Sequence, residues 1–306
     1  SIRMLPVALA CALMVASAFA GLAYQIVCTQ QSTLWLGHES AAVLAVVGAF
    51  FGGLALGSLL LSSRIEHSAH AIRWYAACEI VIGAWSLALA LLLNPVANLA
   101  LAFIGPDPSP ARHGFVAFCG TFALLLPATV AMGATLPSME RVLTAVWPRR
   151  SAISTLYAAN TFGAVLGVLA SAFWLVPHLG LVRSTLVCAC LNFVCAFAVL
   201  PLRANAGASY ATSRPIAANN ALMLLAATGL LGIGYEILVV RAVSQVAENT
   251  VYTFAILLAV YLIGTTIGAA IYARWLAPRT EEETIRDRLL QMLAAGCVGV
   301  EGGLGV

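Results

Sequence analysis

The sequence predicts an all-α, polytopic membrane protein of about nine transmembrane helices, the last three opening a second copy of the first half. Three observations predict it. Of 306 residues, 62% are hydrophobic and only 9% charged, against about 25% charged in a soluble domain. Several apolar runs reach the roughly 20 residues that cross the hydrocarbon core as helix. And the stretch from Gly21 to Ser58 returns in altered form from Gly232 to Ala269. A membrane β-barrel is a poor alternative, because it shows alternation over about ten residues instead of unbroken apolar runs.

Between polar breaks, the runs are 5–29, 41–62, 74–94, 113–136, 152–176, 183–201, 220–246, 250–273 and 289–306. The first is too long for the apolar core of a removable signal peptide. It carries Tyr24, Gln25, Thr29, Gln30 and Gln31, an unusual polar group for so oily a chain. The second carries Gly53 and Gly57, one helical turn apart, where two backbones can approach closely. The third contains an acid, Glu79, in "AACEIVIGAW". In the fourth, Pro127 and Pro137 flank "ATVAMGATL"; each removes an amide and clashes with the preceding turn, so a bend or an end is expected there. The fifth has Gly163 and Gly167, with Ser154, Thr155 and Asn160 as weaker polar candidates, and the sixth is rich in cysteine.

Residues 203–219, "RANAGASYATSRPIAAN", are small, polar and interrupted by Pro215. They are expected to form a cytoplasmic linker between a first bundle, 1–202, and a partial second one, 220–306. The seventh run holds Tyr235, Glu236 and Arg241, and the eighth holds Gly264 and Gly268. Overlaying the repeat puts Gly21, Tyr24, Ile26, Gly53 and Gly57 on Gly232, Tyr235, Ile237, Gly264 and Gly268. Gln25 falls on Glu236 and Gln30 on Arg241, so the second copy is the more strongly charged. Six spans separate the copies, which makes them parallel, as in the two halves of major facilitator transporters. The ninth run matches only the third span of a half, and the expectation is that the sequence is a portion of something longer.

All fifteen basic residues are Arg. With the N-terminus inside, twelve lie on the cytoplasmic side, only Arg112 and Arg183 lie outside, and Arg241 sits within a span. Positively charged loops stay inside, so a cytoplasmic N-terminus in a bacterial inner membrane is expected. The net charge of +3 is scattered, which does not suggest a nucleic-acid partner. The eight cysteines form no C-x-x-C pair and no Cys/His zinc spacing, so they read as small apolar fillers and no metal or cofactor is expected.

Several segments together, "GLAYQ", "GLALGS", "MGATLP", "LYAANTFGAVLG", "PHLG" and "GYEILVVR", resemble the membrane region of the bacterial fused major-facilitator/spermidine-synthase family. The resemblance runs from about Gly21 to Gly180 and resumes in the seventh run. It implies a membrane bundle that often accompanies a soluble aminopropyltransferase-like domain. No such domain is present here: the chain has no strand followed by a glycine-rich turn into a helix, and no acidic cluster for an amine.

Ionisable residues within a membrane are costly and mark candidate sites. Glu236 and Arg241, with Tyr235, Tyr24, Gln25 and Glu79, are the expected substrate-binding or coupling residues, and spans one and seven are expected to converge on a shared cavity. Among the acids, Glu236 is expected to be buried against protein and to matter most. Three readings of these side chains stand side by side: substrate contact, hydrogen-bonded glue between helices worth about 0.6 kcal/mol a bond, and exposure at the interface. Gly53, Gly57, Gly163, Gly167, Gly264 and Gly268 are expected to serve helix packing. A transporter-like protein moving a small cation such as a polyamine is the leading function. The alternative is a non-transporting scaffold or subunit that anchors a synthase-like partner.

Overall fold

A computed structural model describes residues 4–36, 39–104, 109–147, 151–202, 219–246, 250–276 and 282–303. Among them the structure is helical, with no strand. In chain order the helices are α1 (Met4–Leu36), α2 (Glu39–Glu66), α3 (Ala71–Ile104), α4 (Pro110–Val146), α5 (Ser151–Ala170), α6 (Val176–Ala198), α7 (Asn219–Val246), α8 (Val251–Ile271) and α9 (Glu282–Gly303). A π-helical turn, Ser171–Leu175, joins α5 to α6, and another, Tyr272–Leu276, follows α8.

Six stretches among the described residues are long and apolar enough to cross a membrane: Pro6–Thr33, Val43–Glu66, Ala71–Leu92, Phe118–Ala145, Ala152–Ala198 and Val251–Leu276. Their outward faces carry large apolar side chains such as Leu59, Leu91, Phe118, Val194 and Val260, the surface a multi-pass membrane protein turns to lipid. The fifth stretch, 47 residues long, would extend about 70 Å as one straight helix, at 1.5 Å per residue. It does not run straight: Gly180 takes φ +74°, a conformation that favours glycine, and breaks the helix there.

Two expectations about helix ends are corrected. The first run does not stop at residue 29 but continues as helix to Leu36, and the third continues past Pro95 to Ile104. Nor do Pro127 and Pro137 end or divide the fourth helix, which runs unbroken from Pro110, capped by the Ser109 hydroxyl accepting from the Arg112 amide at 3.3 Å. In lipid an interrupted backbone has no water to turn to, so the helix continues through its prolines. Nearby, Thr129, Thr135 and Ser138 satisfy their own hydroxyls on the carbonyls of Leu125, Met132 and Ala134 at 2.7–2.9 Å. The expected linker at 203–219 lies outside the described residues, apart from Asn219, which opens α7.

The core is built by α1 to α6 with α8. At one end Met14, Tyr75, Met139, Leu156 and Cys195 pack together from five helices. In the middle, Tyr24, Phe50, Cys78, Ile82, Ala134 and Cys188 form the next layer. A third cluster brings Val251, Phe254 and Leu258 of α8 against Ile26, Val47 and Val168. Phe173 beyond the C-terminal end of α5 meets Tyr252 at the start of α8, ring centroids 5.6 Å apart, so these two helices run antiparallel. They also share a spacing: Gly163, Gly167 and Trp174 recur as Gly264, Gly268 and Trp275, each pair followed by its π-helical turn.

Small residues set the closest approaches. A Cβ at Gly53 or Gly57 would collide with Thr129 or Val130 of α4, and one at Gly133 with the Leu54 carbonyl of α2. Likewise Gly163 and Gly167 of α5 lie against the Val15 and Phe19 carbonyls of α1. Gly264 and Gly268 have no heavy atom within 4 Å of such a Cβ; among the described residues they pack nothing. Close approach of backbones is thus found at four of these six glycines, and α8 reaches the bundle through its other face.

Candidate functional site

Three helices place polar side chains at one depth in the bundle. Tyr75 and Glu79 are one turn apart on α3, so both face the same way. Ser17 and Tyr24 come from α1, and Asn192 from α6. Helical side chains lean toward the N-terminus of their helix, which lets Tyr24 reach back to the level of Asn192. The Tyr24 hydroxyl donates to Asn192 Oδ1 at 3.5 Å, and Asn192 Nδ2 donates to Glu79 Oε2 at 2.8 Å. Tyr75 donates to the Leu13 carbonyl at 3.3 Å and, with Ser17, stands beside the same carboxyl group.

Glu79 is the focus of this group. It has no exposed surface, and its second oxygen, Oε1, has no hydrogen-bond partner among the described residues. Leaving one oxygen of a buried carboxyl unsatisfied is costly. Its neighbour Ser17 lies only a few residues from the centre of the Pro6–Thr33 stretch, about 4 Å along the axis at 1.5 Å per residue. That is mid-depth, where ionisable groups are most expensive.

On the far side of Tyr24 a narrow crevice opens between α1, α3 and α4, lined by Tyr24, Gln31, Ser86, Leu125 and Thr129, with room for a water molecule. A second small crevice shares Cys28, Gln31 and Leu125 with it and continues to Ser32 and Thr121. Thr121 Oγ1 is the other buried side-chain oxygen without a partner among the described residues. Trp85 ties the walls together, its Nε1 donating to the Leu124 carbonyl at 2.7 Å.

Comparison with protein-family models, curated proteins and solved structures finds no match to this chain.

Of the expected site residues, the structure brings together Glu79 and Tyr24, with buried Gln25 next in sequence. It does not bring Tyr235 and Glu236 to them. α7 meets α8, whereas α1 is held by α2, α4, α5 and α6. The crevice bearing Tyr24 lies inside the first bundle, not between spans one and seven, and that expectation is corrected. Glu236 and Tyr235 are each half-buried on α7, with Tyr261 of α8 within electrostatic range of Glu236. Glu236, expected to be buried against protein, is only half-buried, and Glu79 is the acid enclosed by protein. The physical reason is the packing of α7, which among the described residues has one substantial neighbour, α8, and so leaves much of its surface open. The Arg241 side chain lies outside the described residues.

Sequence reasoning missed Asn192, Ser17, Tyr75 and Ser86. Asn192 had a legible signal, since it is the lone amide in the apolar run "VCACLNFVCAFAV" and such groups usually find a partner on another helix. Asn160, singled out instead, is half-buried on α5.

Proposed function

We propose that the chain is the membrane part of a transporter-like protein that moves a small cation, with Glu79 as its central acid. The carrying observation is the fully buried carboxyl at mid-depth with one oxygen unpartnered, inside a closed helical bundle. Membrane proteins tolerate such a group where it binds or passes something charged. A polyamine is the cation that the family resemblance to major-facilitator/spermidine-synthase proteins suggests. In this reading the N-terminus is cytoplasmic in an inner membrane, residues 1–202 form the first bundle, and 203–219 link it to the second, 220–306. Nine crossings follow if the long Ala152–Ala198 stretch reverses at Gly180 and α7 and α9 also span. The contact of α1 with α2 and of α7 with α8 is compatible with a parallel repeat.

One observation favours the alternative, a scaffold or subunit. Gly264 and Gly268 face open space, as do Gly229, Gly232 and Gly234 on α7, a surface on which another transmembrane helix could lie closely. Uptake of labelled spermidine into proteoliposomes separates the two. Uptake by the parent chain that Glu79→Gln abolishes supports transport. A folded parent inert toward every polyamine tested overturns it and leaves the scaffold.

A further inference from the structure

We propose that Glu79 is a proton-binding site that exchanges with the water-sized crevice past Tyr24, which acts as its gate. The cation is chosen by geometry. A calcium or magnesium ion takes six or more oxygen ligands, whereas the only oxygens beside the carboxyl group among the described residues are the Ser17 and Tyr75 hydroxyls and the Asn192 amide, and Oε1 has no hydrogen-bond partner there. Among the described residues no group of three His, Cys, Asp or Glu side chains could hold a metal. An organic ammonium does not fit either, because the crevice is water-sized and stops at Tyr24 without reaching Glu79. A proton requires only the one free oxygen.

The surroundings are those of a site that changes charge state without a fixed counter-ion. Ser17 from α1, Tyr75 from α3 and Asn192 from α6 stand beside the carboxyl group, with Tyr24, Cys78 and Cys195 within electrostatic range of it. None is a cation, and α2 and α4 bring no charged group against it among the described residues. Asn192 fixes the geometry: its amide donates to Oε2 and so holds that oxygen, leaving Oε1 to gain or lose the proton. On loading, the Tyr24–Asn192 link opens, a hydronium passes from the end of the crevice beyond Tyr24 and gives its proton to Oε1, one O–H bond breaking as the other forms, and water returns to the crevice. On release the same step runs backwards. Tyr24 controls the route because its hydroxyl is tied to Asn192 on one side and its body lines the crevice on the other. Ser86, which also lines the crevice, stands beside that hydroxyl and offers it a second resting place when the link to Asn192 opens.

This inference deepens the transport reading by naming the coupling ion, and rests on that reading only for its use, since proton binding is measurable without transport. Infrared spectra of the full chain in lipid nanodiscs, taken across pH and after transfer to heavy water, test it. A carboxylic-acid C=O band that titrates and is missing from Glu79→Gln is expected. Its deuterium shift should be at least about tenfold faster in Tyr24→Ala, the scale of one lost hydrogen bond. An unchanged band in Glu79→Gln, or equal exchange rates in parent and Tyr24→Ala, overturns the proposal. Should either variant fail to fold, Glu79→Asp takes its place: a titrating C=O band displaced from the parent's supports the site, and a titrating band identical in the two overturns it. Spermidine uptake that ignores pH and survives Glu79→Gln would remove the proton site while leaving transport. A titrating Glu79 in a chain that moves no polyamine would do the reverse.

Discussion

Gly53 and Gly57 on α2 lie so close to α4 that a methyl group at either would strike Thr129 or Val130, while Gly264 and Gly268, at the matching places on α8, meet nothing. The same contrast separates two acids. Glu79 is enclosed by three helices and bonded to Asn192; Glu236 is half-buried on a helix whose one substantial neighbour is α8. A motif or an ionisable residue within a span thus marks only a capacity. Whether it is used depends on how many helices surround it, and in this molecule the surrounded region is the first six helices with α8 added to their flank.

The contrast can be broken most forcefully at the glycines. Gly57→Leu is expected to destabilise the purified protein by about 3 kcal/mol or more, because the obstacle is backbone and cannot swing aside. Gly268→Leu should change stability by less than about 0.5 kcal/mol, as at other open positions. Thermal unfolding in the same detergent compares the two, and equal losses would erase the distinction between the regions. Asn192→Leu comes next. It strips Glu79 of its donor, with an expected cost of about 1–3 kcal/mol, whereas Glu236→Gln should be nearly silent in the same melt. Smallest is Trp85→Phe, which gives up the bond to the Leu124 carbonyl across the crevice wall for about 1 kcal/mol.

How much of this was legible in the sequence follows from what each signal depends on. Helical class and membrane character rest on composition and run length, which are local, and they carry over directly. So do Gly53, Gly57, Gly163 and Gly167, since close helix packing asks for small residues one turn apart. Helix ends were misjudged at Leu36, Ile104 and the α4 prolines because hydropathy falls where polar residues begin, while a helix in lipid continues for lack of any other partner for its backbone. The site was half legible. Glu79 and Tyr24 stand out as polar groups in apolar runs. That they meet through Asn192 depends on α1, α3 and α6 packing together, which no repeat or motif encodes. Weighting Glu236 above Glu79 came from the repeat and from the proximity of Arg241 in sequence. Neither observation says how many helices pack around α7.

A double-mutant cycle on Glu79 and Asn192 tests the central claim most directly, with unfolding free energy as the readout. If the two side chains form one buried pair, Glu79→Met and Asn192→Leu each leave an orphaned polar group, and the double variant removes both orphans together. The double variant should then cost less than the sum of the singles by about 1 kcal/mol or more, as contacting residues do. The same cycle run on Glu236 and Asn192 should be additive within about 0.5 kcal/mol, as for sites that share no partner. Additivity between Glu79 and Asn192 would contradict the account.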